Sequence, residues 1–271
     1  MMTGFLVVNH YLRNEKFDIL HNHLKKSAQN LGINLIIKTN EQMLFEENIP
    51  DFVLFWDKDV NLAKHLENKG IKVFNSSKSI ALCDDKAKTY LALEGKIKQP
   101  KTIIAPLSFF KCDYTDFSEK SAKLLSFPLV FKECYGSFGE QVYLCKSVDD
   151  ILSHITSKPF LLQEYIECNN EDVRIEVVGN RAVSAMKRRN DNDFRSNITN
   201  GGKAQPYTPT KEECDIAINA CKALGLTFGG VDIMNGDTLC EVNSNAHIIN
   251  IMQTTGTDIA PYIFREIQSK L

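Results

Sequence analysis

Two short runs, Val231-Asp232-Ile233 and Leu239-Cys240-Glu241-Val242-Asn243, carry the side chains with the most definite chemistry in this 271-residue chain. Glu241 and Asn243 are two residues apart, so in a strand both point to one face. Between the runs, Asn235-Gly236 reads as a hairpin turn that would lay Asp232 beside them. Two carboxylates and an amide, with no Cys or His among them, suit a hard cation such as Mg²⁺, with Mn²⁺ as a substitute. So few protein ligands leave room for nucleotide phosphates to complete the coordination shell. The competing reading is a surface hairpin with its polar residues in water.

Anion-binding chemistry shows at other places. Lys132 follows the apolar Leu129-Val130-Phe131 and precedes Tyr135-Gly136-Ser137-Phe138-Gly139, a glycine-rich loop between two strand signals. Glycines let backbone N–H groups cradle a phosphate that such a lysine can reach. Without the loop, the lysine would read as a solvated edge residue. Met186-Lys187-Arg188-Arg189 reads either as a solvated strand end or nuclear-localisation-like cluster, or as cations facing transferred phosphate, since arginine neutralises spread charge through a planar fork. Arg195-Ser196-Asn197, just after it, would add donors. His21 and His23 face different ways on one helix and read as structural; His247, close behind Asn243, is the exception among the histidines. No Gly-x-Ser-x-Gly elbow is present, which argues against a covalent hydrolase.

The elements that must position these groups follow from periodicity. Strand signals at 5–8, 33–37, 51–56 and 71–74 alternate with helical spacing at 15–30 and 62–69, which predicts a small parallel sheet covered by helices. No Gly-x-Gly-x-x-Gly loop follows the first strand, so no dinucleotide site is expected there. One helix is expected from Ser76 or Ser77 through Leu91. Strands at 102–105, 128–133, 142–145 and 160–165 then alternate with helices at 116–125 and 148–155. A hairpin over 173–186 turns at Gly179-Asn180, and 191–202 reads as a mobile polar loop. An amphipathic helix at 211–224, the hairpin 227–243 and a helix at 259–271 complete the chain.

Composition sets the outer bounds. Hydrophobic residues at 43% and charged residues at 24% describe an ordinary globular balance, long enough for two or three subdomains. A net charge of -2 provides no general attraction to nucleic acid or an anionic membrane, so neither is expected as a partner. The first apolar run is too short for a signal peptide, and no segment approaches the ~20 apolar residues of a membrane span. Eight cysteines without a CxxC pair fit neither a zinc site nor a compact disulfide framework, and reduced thiols in a cytoplasmic protein account for them.

Taken in chain order, the motifs resemble the ATP-grasp superfamily, and within it the RimK-type glutamate ligases, from about Asn75 to Ile263. Asp85-Lys86-Ala87-Lys88-Thr89 looks like the family's opening Asp-Lys helix, whose lysine approaches the nucleotide phosphates. Lys132 is similar to the strand lysine that spans phosphate and adenine, and Gly136, Ser137 and Gly139 to the lid loop. Gln163-Glu164-Tyr165-Ile166 looks like the hinge whose backbone pairs with adenine. Asp172 and Arg174 fall in an Asp-x-Arg strand, with Asp172 near the ribose. Lys187 and Arg188 resemble the Met-Lys-Arg motif, and Arg195-Ser196-Asn197 with Gly201-Gly202 the loop after it. Asp232, Glu241 and Asn243 take the magnesium positions, and Thr254-Thr255-Gly256 with Asp258-Ile259-Ala260 the closing signature. Two departures stand out. Gly139-Glu140-Gln141 continues the lid where glycine is commoner, and Ser244-Asn245-Ala246-His247 replaces the usual Ser-Pro-Gly that borders the acceptor site in relatives.

The resemblance implies an α/β (α+β) ATP-grasp fold: a small parallel-sheet domain at 1–82, a central lid domain at 83–165 and an antiparallel-sheet domain at 166–271. It further implies an ATP-dependent carboxylate–amine ligase working through an acyl phosphate, with ATP and Mg²⁺ as cofactors. Glutamate or another amino acid would be joined to a peptide, protein or small acidic acceptor. Arg188, Lys187 and Asn197 are the catalytic candidates, and a homo-oligomer is compatible with the family. The alternatives are an ATP-grasp kinase acting on a small metabolite and a non-catalytic nucleotide-binding module.

Overall fold

Near-continuous apolar runs give the amino-terminal region its parallel sheet. In the computed structural model, which describes residues 2–12, 14–108, 110, 112–136, 139–198 and 201–271, β1 (Met2–Val8), β2 (Ile33–Thr39), β3 (Phe52–Trp56) and β4 (Val73–Phe74) pair in the order β2-β1-β3-β4, all parallel. Every residue of β3 is buried, as expected of a strand covered on both faces. The covering helices start at side-chain caps: Asn14 for α1 (Glu15–Asn30) and Asp59 for α3 (Val60–Asn68). A short α2 (Asn40–Leu44) lies between them in sequence, behind a capping box at Thr39 that the sequence reading passed over. In β1 and β3, Val8 and Trp56 are in register, so Asn9 and Asp57 stand together just past the two carboxyl ends.

The next segment corrects one expectation. Instead of a single helix through Leu91, α4 (Ser77–Asp84) and α5 (Lys86–Leu93) meet at Asp85. Asp85 adopts extended backbone, and its carboxylate accepts from the N–H groups of Ala87 and Lys88 at 3.0 and 3.2 Å, so the side chain starts a new helix. Lys86 is thereby the first helical residue.

β5 (Thr102–Ile104), β6 (Leu129–Glu133), β7 (Val142–Cys145) and β8 (Phe160–Glu164) form a second, antiparallel sheet in the order β5-β8-β6-β7. Its apolar side packs on α6 (Thr115–Leu125) and α7 (Val148–His154) around Phe131, Leu129 and Phe160.

The third sheet holds β9 (Glu171–Val178), β10 (Arg181–Arg189), β11 (Lys203–Pro206), β12 (Phe228–Met234) and β13 (Thr238–Asn243), in the antiparallel order β11-β10-β9-β12-β13. One face is covered by α8 (Lys211–Ala223), the other by α9 (Ile248–Thr255) and α10 (Ala260–Lys270). β11 and α9 went unread in the sequence, because the short run Lys203-Ala204-Gln205-Pro206 and the apolar run after Asn243 carry no decisive period.

A continuous core ties the first and third sheets. Leu6, Leu54 and Trp56 pack with Val178, Met186, Phe228 and the buried faces of α9 and α10, and the Trp56 and Phe228 rings stack at 5.4 Å. Asn75, 1% exposed, clasps the same junction: its amide donates to the carbonyls of Phe228 and Ser244 at 2.9 and 2.7 Å and accepts from Thr227 N–H at 2.7 Å. All eight cysteines are free. Among the described residues, no helix is long and apolar enough to cross a membrane.

Candidate active site

Sheet order β10-β9-β12-β13 sets charged residues side by side. Arg188 lies opposite Asp172, Arg174 opposite Asp232, and Asp232 opposite Glu241, while Asn243 lies opposite Gly230, two residues before Asp232. Alternation then brings Asp232, Glu241 and Asn243 to one sheet face. A network results. Arg188 forks onto Asp172 at 2.7 and 2.6 Å and reaches Asp232 at 2.9 Å. Arg174 forks onto the same Asp232 through Nε and through Nη2 at 2.8 Å, with Glu176 3.9 Å from its Nη1. Bidentate guanidinium–carboxylate pairs of this kind are strong and directional. Burial alone would raise Asp232, but Arg174 and Arg188 hold its carboxyl below the usual range.

Two cavities meet at this network. The first, about 140 Å³, is lined by Lys86, Lys132, Gly136, Gly139, Gln163–Ile166 and Asp172. Lys132 Nζ donates to Gln163 Oε1 at 2.7 Å, and Gln163 in turn donates to Thr102 at 2.8 Å, so the lysine is held beside the end of β8. Lys86 N–H bonds the Cys134 carbonyl at 2.9 Å, and its Nζ lies 3.4 Å from the Gly136 carbonyl and 4.0 Å from Glu241. Burial pulls the Lys86 ammonium below its usual range, with Glu241 opposing and Lys132 reinforcing. Arg195, braced by Asp193 at 2.7 Å, donates to the Gly139 carbonyl at 2.6 Å and joins the 191–198 segment to the turn at Gly139, where φ is +73°. Tyr165 and Ile166 line the wall, and the Glu164 carboxylate is turned onto Lys101 N–H at 2.6 Å. Ser137 lies outside the described residues.

The second cavity, about 270 Å³, opens between the first and third sheets and is lined by Asp57, Arg174, Arg188, Asn243 and His247, among others. Glu241 and Asn197 line both cavities.

Lys187 is a correction. Strand alternation sends it to the opposite face from Arg188, where its Nζ pairs with Glu171 at 3.1 Å and sits 5.6 Å over the Tyr207 ring. It lines neither cavity, so the catalytic expectation for it is withdrawn. Asp172 is less open to a ligand than expected, since Arg188 and Ser196 Oγ, at 2.5 Å, occupy its oxygens.

Glu176 was missed, although the alternation Asp172-x-Arg174-x-Glu176 marked one charged strand face. It stands opposite Gly230, where a Cβ would come within 3.0 Å of Glu176 Oε1 and 3.1 Å of Arg174 Nη1; only glycine leaves them space. Burial pushes the Glu176 carboxyl up to about 7, with Arg174 and Arg188 opposing and Asp232 reinforcing. The neutral form is therefore favoured in the fold. Its stabilising contribution is complete below the ordinary 4.5 and is lost as pH rises through about 7, by roughly 3 kcal/mol at about 1.4 kcal/mol per decade. Glu176→Gln should remove this loss, seen as a smaller fall in urea midpoint between pH 5 and 8 than in the wild type. An identical fall in both proteins would refute it.

The donors also suit a divalent ion. Asp232, Glu241 and Asn243 each bring a hard oxygen donor of the kind such an ion takes to one face of the β12–β13 pair. Among the described residues no group of three or more His, Cys, Asp or Glu could hold a metal ion.

Comparison with known proteins gives the family. A RimK-like ATP-grasp domain model matches residues 83–267. An uncharacterized protein of Mycoplasma pneumoniae is 35% identical, with 90% of this chain and 91% of that protein covered. A probable alpha-L-glutamate ligase of Vibrio vulnificus is 31% identical, with 93% and 85% covered. In fold, D-alanine–D-alanine ligase from Bacillus anthracis, solved with ATP, superposes with a TM-score of 0.77 at 16% identity, covering 99% of this chain and 97% of that one. On these grounds the chain belongs to the RimK-like ATP-grasp family of ATP-dependent carboxylate–amine ligases.

Proposed function

We propose that the chain joins an amino acid to a carboxylate-bearing peptide, protein or small molecule, with glutamate the first candidate, using ATP in the first cavity and the substrates in the second. The observation that carries this reading is the placement of Glu241 and Asn197 on both cavities, so that a terminal phosphate in one lies next to a carboxylate in the other. Asp232, Glu241 and Asn243 would hold Mg²⁺, which when bound neutralises phosphate charge. Lys86 and Lys132 hold the phosphates, Gln163 to Ile166 back the adenine, and Asp172 orders Arg188 while facing the ribose side. Arg174 keeps Asp232 in place from the neighbouring strand.

The chemistry runs in two balanced steps. A substrate carboxylate oxygen attacks the γ-phosphorus and the bond to ADP breaks, giving an acyl phosphate. The amine, in its neutral form, then attacks the acyl carbon, the bond between that carbon and the phosphate oxygen breaks, and the departing phosphate takes up the proton that the new amide nitrogen gives up. Arg188, already reaching over the sheet face to Asp172 and Asp232, stabilises the charge on the transferring group, so catalysis rests on positioning and electrostatics. Arg195 bonding to Gly139 closes the turn over the first cavity and keeps water from the acyl phosphate.

ADP release measured with amino acids against acidic peptides and small carboxylates tests the proposal. ADP formation that requires both an amine and a carboxylate supports it. A phosphorylated product formed without amine would mark a kinase instead, and tight ATP binding without turnover a nucleotide-binding module.

A further inference from the structure

Eight buried side-chain polar atoms lack a hydrogen-bond partner among the described residues, and three of them belong to residues lining the second cavity: Asp57, Asn243 and His247. Buried polar atoms are nearly always paired, so orphans gathered around one cavity mark where a polar ligand completes the pattern. The Asn243 orphan is the amide nitrogen of a residue whose oxygen the metal reading uses, and the His247 orphan is Nδ1 of a ring whose Nε2 faces the Lys16 carbonyl at 3.4 Å. Asp57 has no such use.

Its setting is specific. Asp57 follows the carboxyl end of β3, beside Asn9 at the end of β1, in the crevice where open parallel sheets bind ligands. Asn9 Nδ2 donates to Oδ1 at 3.0 Å and Lys58 N–H donates to the same oxygen at 2.7 Å, while Asn9 Oδ1 is held by Tyr11 N–H at 2.8 Å. One oxygen is thus fixed and Oδ2 is left bare. The neighbouring ammonium of Lys58 is turned to Asp84 at 3.1 Å, and no ion pair to Asp57 occurs among the described residues. A carboxylate only 6% exposed and without a cation is costly, and a ligand cation would offset that cost. Lys16, on α1 and lining the same cavity, has no ion pair among the described residues either, so the wall offers one anion and one cation.

We propose that Asp57 Oδ2 receives the ammonium group of the amino-acid substrate and selects ligands that carry it. The inference rests on the second cavity being the substrate site, and it goes further by naming the residue and the group recognised.

Calorimetric binding of each standard amino acid, in the presence of Mg²⁺ and a non-hydrolysable ATP analogue, tests it on wild type and Asp57→Asn. The amide keeps the shape and the fixed oxygen. The expected result is a loss of roughly 10–100-fold in affinity for the bound amino acid, with affinity for the ATP analogue unchanged as a control of folding. On wild type, the deaminated analogue of that amino acid should bind weaker by a similar factor, and Asp57→Asn should not weaken it further. Wild-type amino-acid affinity in Asp57→Asn, or no amino acid bound by the wild type, overturns the inference. ADP release is read separately: its absence with every substrate defeats the ligase reading, whatever the calorimetry shows for Asp57.

Discussion

Arg188→Ala is expected to lower turnover roughly 10³-fold, the scale on which arginines that stabilise a transferring phosphoryl group act. Two effects must be kept apart. Arg188 is 4% exposed and pairs with both Asp172 and Asp232, so its loss also leaves buried carboxylates short of a partner, at about 3–5 kcal/mol of stability. Arg188→Lys separates them, since it retains the charge and loses the fork. Turnover that stays low in a lysine variant whose melting temperature is largely restored assigns the effect to chemistry. A folded alanine variant with turnover within tenfold of wild type would remove Arg188 from the mechanism.

Glu241→Gln should act on nucleotide binding instead. Glu241 is half-buried, its nearest cation is Lys86 at 4.0 Å, and it lines both cavities, so the fold should lose little. A ligand to the ion is a different matter. ATP affinity in Mg²⁺ should fall by more than the roughly 10–100-fold that loss of an outer partner of a metal costs. Affinity measured in a chelator should be the same for both proteins. Equal Mg²⁺-dependent affinity in wild type and Glu241→Gln would end the assignment of this site to the ion.

How much of this was open to a reader of the sequence depends on distance along the chain. The hairpin joining Asp232 to Glu241 is local, and alternation with an Asn-Gly turn was enough to place both on one face. Asp85-Lys86 was readable as a motif, yet the break it makes between α4 and α5 was not, because apolar spacing runs on through it. The guanidinium–carboxylate network was hidden altogether. It arises because β9 sits between β10 and β12, and no local period reports the order of strands in a sheet. The second cavity was hidden for the same reason, since Asp57 and Asn243 are separated by most of the chain and meet across the junction that the core and Asn75 hold together. Lys187 shows the opposite failure: a motif read as a block ignored that adjacent strand residues part company.

That parting has an evolutionary corollary. The β9–β10 ladder carries its irregularity at Ala182 and Ser184, between the Gly179-Asn180 turn and Arg188. A residue gained or lost at the turn can be taken up there, and the guanidinium keeps its side. A residue gained after Ser184 has no such buffer: it would hand the inner position to the Lys187 ammonium and turn the Arg188 guanidinium out to water. Descendants of this sequence are therefore free to drift in the tip of the hairpin, while the four-residue step from Ser184 to Arg188 must keep its count.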